Sequence, residues 1–195
     1  MSMSNATETV EFVDDEIIEN LVRAALFAAL IGALSYVSFP FPVSPIPVTL
    51  QVLGVFLAAI MLGPRWGTVA LLIYLAAGAL GAPVFSMGGA GFGVIVGESG
   101  GFLLSFPLAT FVMGLIVHGG LEAGDYRSRH IIRVTLAMVV GIIIMYTGGV
   151  IGMMIVLSLS LWEAIVMGAL VFLPAEGAKI IATLGIINSD RLVDF

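Results

Sequence analysis

Lys179 and Glu176 carry the most chemistry in this chain. Lys179 is the protein's one lysine, and it lies in the apolar run Leu173-Pro174-Ala175-Glu176-Gly177-Ala178-Lys179-Ile180-Ile181. Glu176 precedes it by three residues, so the two side chains leave neighbouring positions on one helix face. A charge at the bilayer centre costs about 2.5–3.5 kcal/mol on insertion scales, and such residues usually face the bundle interior or a wet cavity. Pairing lowers that cost. Yet a buried ion pair is often no more stabilising than apolar side chains in its place. A packing role is therefore the weaker expectation, and a ligand-binding role the stronger one. Pro174 is expected to free a backbone carbonyl one turn earlier as a further acceptor.

Other polar residues carry less. Gln51, close to Thr49, is suited to bond a ligand or to cross-link helices. Glu163 suits a helix N-terminus. His118 and His130 stand apart from acidic clusters and are expected at the surface or an interface, with no metal bound. Cysteine is absent, which excludes disulfides and thiolate metal sites. The lysine follows Ala178 and precedes Ile180, so the Gly-Lys-Ser/Thr of a phosphate loop is missing. No Ser-His-acid set suggests hydrolysis. The chain is not expected to be an enzyme, to hold a cofactor or to bind nucleic acid. ATP-driven work would need another subunit.

These residues need a membrane scaffold. Sixty per cent of the chain is apolar and ten per cent charged, against roughly 25% charged in an average soluble domain. One soluble core cannot hide that much apolar surface. The expected fold is an all-α integral membrane protein with six transmembrane helices, near 21–38, 48–63, 66–82, 102–119, 132–157 and 162–187. The second and third look short against the about 20 residues a span needs. Residues 1–20 form an acidic lead, with a helical pattern over 8–20 that suits an interfacial helix. Residues 21–187 form the membrane domain, and 188–195 a short tail. No internal repeat is apparent.

The arginines orient this scheme. With six spans and an inner N-terminus, Arg23, Arg65, Arg127, Arg129, Arg133 and Arg191 all fall inside. The outer loops 39–47, 83–101 and 158–161 hold no Lys or Arg. This follows the positive-inside rule and puts both termini in the cytoplasm of a multi-pass plasma-membrane protein. Trp66 and Trp162 fall at opposite interfaces. The first outer loop packs four prolines into residues 40–47, which favours a stiff, extended segment. The second is glycine-rich yet keeps Phe85, Phe92, Val94, Ile95 and Val96. Irregular apolar backbone near membrane depth is expected to line a cavity. Gly148 with Gly152, Ala24 with Ala28 and Ala25 with Ala29 are spaced for close helix packing.

Four stretches stand in a specific order: Pro45-Ile46-Pro47-Val48-Thr49-Leu50-Gln51, Leu62-Gly63-Pro64-Arg65-Trp66-Gly67, Gly81-Ala82-Pro83-Val84-Phe85 and Gly97-Glu98-Ser99-Gly100-Gly101-Phe102. Together they resemble the BioY family, the biotin-binding substrate components of energy-coupling factor (ECF) transporters, over residues 20 to 187. The resemblance implies an ECF substrate-component-like six-helix bundle with biotin bound near the outer face. It implies a transmembrane coupling subunit and cytoplasmic ATPase subunits as partners. Ala24, Ala25, Ala28 and Ala29 resemble the family's alanine motif for docking on the coupling subunit. The family's Pro-Gly-Asp-x-x-Lys matches Pro174-Ala175-Glu176-Gly177-Ala178-Lys179, with aspartate replaced by glutamate. In some members an asparagine and an arginine also contact ligand; Gly89 and Leu103 stand at those positions, and Glu98 stands where proline is usual.

The implied ligand suits the pair. The ureido ring offers N–H donors for Glu176, Lys179 suits either the ureido carbonyl or the ligand carboxylate, and charge-assisted bonds are about twice as strong as neutral ones. Phe85, Phe92 and Phe102 are expected to bed the ring, with Gly89 and Gln51 nearby. A substrate component for another small vitamin, or a passive pore or structural membrane subunit, are the competing readings.

Overall fold

A computed structural model describes residues 15–126 and 129–189. Its helices are α1 (Asp15–Ser35), α2 (Gln51–Met61), α3 (Gly63–Ala79), α4 (Phe92–Ile95), α5 (Gly100–His118), α6 (Ile131–Leu157), α7 (Leu161–Gly168) and α8 (Leu173–Ile187). A two-stranded ribbon joins α1 to α2: β1 (Ser38–Phe39) pairs antiparallel with β2 (Val48–Thr49), Ser38 opposite Thr49. Residues 15–20 are continuous with α1 and form no separate interfacial helix. Residues 8–14, Arg127 and Arg191 lie outside the described residues.

Four segments are long and apolar enough to cross a membrane: Asp15–Ser35, Gly100–His118, Ile131–Leu157 and Leu161–Ile187. α2 has 11 residues and α3 has 17. At 1.5 Å per residue α2 is only about 16 Å long. The second and third spans, expected to be short, are the two shorter helices among four long segments. Burial explains α2: from Gln51 to Ile60 every residue but Val52 is buried. A helix that is hydrophobic all round belongs in the middle of its protein. Gly63, at φ +76, turns the chain tightly between α2 and α3, and Pro64 enters the first turn of α3, where its missing N–H costs nothing.

The long helices pack closely. A Cβ on Gly101 of α5 would lie 2.2 Å from the Gly148 carbonyl oxygen of α6 and 3.0 Å from the Gly152 Cα. The glycine pair expected to permit close packing is this crossing. At the other end of the same two helices, Arg133 Nε donates to the Ile116 carbonyl, and Arg129 donates to the His118 carbonyl at 3.0 Å. The cations thereby satisfy the last carbonyls of α5. Arg65 pairs with Glu122 at this end too.

His118, expected at the surface or an interface, is buried at the end of α5. Its Nδ1 accepts from the Gly124 N–H at 3.0 Å, and Nε2 lies 3.0 Å from the Ile60 carbonyl. It pins the loop after α5 against the end of α2. No group of His, Cys, Asp and Glu among the described residues is arranged to hold a metal.

The last span is interrupted. Ser160 and Glu163 form a capping box that starts α7, as the Glu163 reading anticipates. The helix ends at Gly168, a short 3-10 turn covers Leu170–Phe172, and α8 then begins with Pro174 in its first turn. Pro174 therefore starts a helix; it does not open a gap in a running one. The break places Glu176 in the first turn of α8.

Candidate ligand-binding site

One cavity, about 620 Å³ counting its open mouth, lies where α2, α5, α6 and α8 meet under the two outer loops. Its wall takes residues 46–49 from the first loop and β2, Gln51 and Val52 from α2, and Phe85, Ser86 and Ser99 from the glycine-rich segment. α5 adds Phe102, Leu103 and Phe106, α6 adds Met145 and Tyr146, and the broken last span adds Phe172, Glu176 and Lys179.

The charged pair forms the polar core. Lys179 Nζ lies 2.5 Å from Glu176 Oε1, with both residues almost fully buried, at 5% and 2% exposure. The Tyr146 hydroxyl donates to the same Oε1 at 2.9 Å. Glu176 Oε2 is buried and accepts no hydrogen bond. An unsatisfied buried carboxylate oxygen is costly, and natural structures tolerate few. Lys179 carries three N–H donors, and its bond to Glu176 uses one.

Aromatic rings wall the pair. Tyr146 meets Phe102 edge-on with centroids 5.7 Å apart and stacks on Phe172 at 6.2 Å. Phe172 in turn contacts Phe41 of the first loop at 6.3 Å. Gly149 creates the space for Phe102: a Cβ there would lie 2.2 Å from the ring. Such rings supply flat apolar area with a preference for edge-on and offset contacts.

The structure brings together Glu176, Lys179, Gln51, Phe85 and Phe102. Gln51 serves the helix cross-link as well: it accepts from Thr49 Oγ1 at 2.9 Å and donates through Nε2 to the Tyr74 hydroxyl of α3. Phe85 is buried edge-on against Tyr74, at 5.5 Å. Gly89 and Phe92 are not brought to the cavity. Gly89 uses its carbonyl to accept from the Phe85 N–H, closing a tight turn. Phe92 opens α4 on the outside of that turn and is 64% exposed.

The four alanines divide. Ala24 and Ala28 face inward and are buried, in line with Ile31 and Ser35. Ala25 and Ala29 are exposed beside Val22 and Leu26. Two of the four are thus available to a partner.

Sequence reasoning missed Tyr146 and Phe172. A hydroxyl in an otherwise apolar span is the signal that could have marked Tyr146, since a buried phenol seeks a partner. Tyr146→Phe is expected to destabilise the protein by about 1–2 kcal/mol, because Glu176 loses a neutral donor to a buried charge. Thermal unfolding in detergent measures this; an unchanged melting temperature would show the bond contributes nothing.

Compared with known proteins, residues 3–193 match the model of the BioY family. The biotin transporter BioY of Rhodobacter capsulatus is 38% identical over 183 residues, covering 84% of this chain and 88% of that protein. The biotin transporter BioY of Rhizobium etli is 34% identical over 165 residues, covering 82% and 86%. The biotin transporter BioY of Thermotoga maritima is 45% identical over a shorter 96 residues, 49% of this chain and 56% of that one. Among solved structures, the crystal structure of the S-component for biotin from an ECF-type ABC transporter superposes with a TM-score of 0.79. It is 24% identical, with 95% of this chain and 93% of that chain covered, so the fold is shared.

Proposed function

The chain belongs to the BioY family, and from that premise we propose that it is the biotin-binding substrate component of an ECF importer. It is a multi-pass membrane protein of a transporter family, not an enzyme. The observation that carries the ligand assignment is the buried Glu176–Lys179 pair in the wall of the cavity. Biotin's ureido head has two N–H donors and one carbonyl. The Glu176 carboxylate accepts from an N–H, and Lys179 donates to the carbonyl. Phe102, Tyr146 and Phe172 bed the fused rings. Both polar bonds are charge-assisted, and the cavity's low dielectric strengthens them.

The partners follow the same reading. A transmembrane coupling subunit docks on the outward face of α1, where Ala25 and Ala29 allow close approach between Val22 and Leu26. Cytoplasmic ATPase subunits supply the energy that this chain cannot. Arg65, Arg129 and Arg133 gather at the bundle end opposite the cavity mouth, which supports a cytoplasmic assignment for that end and for both termini in the plasma membrane.

Purified full-length protein in detergent, cleared of co-purifying ligand, should bind biotin one to one by calorimetry. An absence of both binding heat and thermal stabilisation at excess biotin would reject the assignment. Phe92→Ala should change biotin affinity by less than about threefold, since an exposed side chain away from the cavity contributes within about 0.5 kcal/mol. A larger loss would return Phe92 to the ligand bed.

A further inference from the structure

Resting on the biotin reading, we propose that the site recognises the ureido head alone and leaves the carboxyl end without a partner. Biotin carboxamides, including biotin joined by an amide to a lysine side chain, are then ligands on a par with the free acid.

Charge accounting drives this. The cavity lining holds two charged groups, Glu176 and Lys179, and they neutralise each other at 2.5 Å. The remaining polar lining is uncharged: Thr49, Gln51, Ser86, Ser99 and Tyr146. A ligand carboxylate seated at Lys179 would sit beside the Glu176 carboxylate. The buried cluster would then carry an uncompensated negative charge, the arrangement proteins avoid. A ureido head avoids that fault, because it brings N–H donors and no charge. The head therefore goes to the pair, and the valeryl chain runs towards the mouth.

The mouth offers nothing cationic. Loops 39–47, 83–101 and 158–161 contain no lysine or arginine. Glu98, next in sequence to the lining residue Ser99, is exposed there, and Glu163 lies at the start of α7 on the same end. An anion at the mouth meets like charges, and an amide does not. The lining on this side is made by loop residues 46–49 and Ser86, so a substituent beyond the carboxyl runs between the outer loops.

The test titrates the full chain in neutral-lipid nanodiscs with biotin, its primary amide, and biotin amide-linked to the lysine side chain. Both amides should bind within about tenfold of the free acid; losing a charge-assisted hydrogen bond would cost about tenfold or more. Amides weaker than the acid by more than about tenfold would overturn the inference while leaving biotin binding intact. Absence of binding by the free acid would instead overturn the proposed function, and this inference with it.

Discussion

Lys179→Met is expected to lower biotin affinity by at least about a hundredfold, since it removes one charge-assisted bond and strands a buried carboxylate. In the parent protein Lys179 compensates Glu176 at 2.5 Å in an almost fully buried setting. Without the ammonium, Glu176 keeps only the Tyr146 hydroxyl. An unpaired buried carboxylate is strongly destabilising, so the site around it is disturbed. The variant loses the bond to the ureido carbonyl and degrades the bond to the N–H.

A second variant separates ligand binding from packing. Glu176→Gln with Lys179→Met leaves no buried charge, so the fold should recover most of the stability lost in the single variant. Affinity should stay low, because both charged partners of the ligand are gone. Calorimetry for affinity and thermal unfolding for stability read the two effects independently. If Lys179→Met binds biotin within about threefold of the parent, a change under about 0.7 kcal/mol, the pair serves packing only.

How far the sequence foretold this site depended on chemical contrast. Glu176 and Lys179 stood out because charge in an apolar run is expensive. The long spans were legible because apolar runs of their length have few other uses. The break after Gly168 was not legible: Gly168-Ala169-Leu170-Val171-Phe172 is apolar throughout, and Pro174 reads equally as a kink or a first-turn residue. Phe172 turns towards Tyr146 because of that break, so it was hidden for the same reason. Phe92 and Phe85 share a glycine-rich loop and look alike in sequence. The fold buries Phe85 against Tyr74 and leaves Phe92 outside. On α1 the inward line Ala24, Ala28, Ile31, Ser35 has helical spacing. The adjacent line through Ala25 and Ala29 has the same spacing, and only packing against neighbours decides which faces out.

Gly101→Val should cost at least about 3 kcal/mol of stability, the upper part of the range for overpacked cores. A Cβ at Gly101 meets the Gly148 carbonyl oxygen at 2.2 Å and the Gly148 carbonyl carbon at 3.0 Å. These are backbone atoms of a long helix, so no rotamer change relieves the clash, and α5 and α6 must separate. Separation moves Phe102, which follows Gly101, away from Tyr146, whose ring it meets at 5.7 Å. It also disturbs Gly149, against which Phe102 packs. Ligand binding should therefore fall together with the melting temperature. Gly93→Ala is the matched control: a Cβ there has nothing within 4 Å, and losing a glycine from a compatible position tends to stabilise by about 0.4–1 kcal/mol. Thermal unfolding of the two variants beside the parent checks the contrast. A Gly101→Val protein that melts with the parent would mean that α5 and α6 do not need this contact, and the aromatic wall would owe its position to α8 instead.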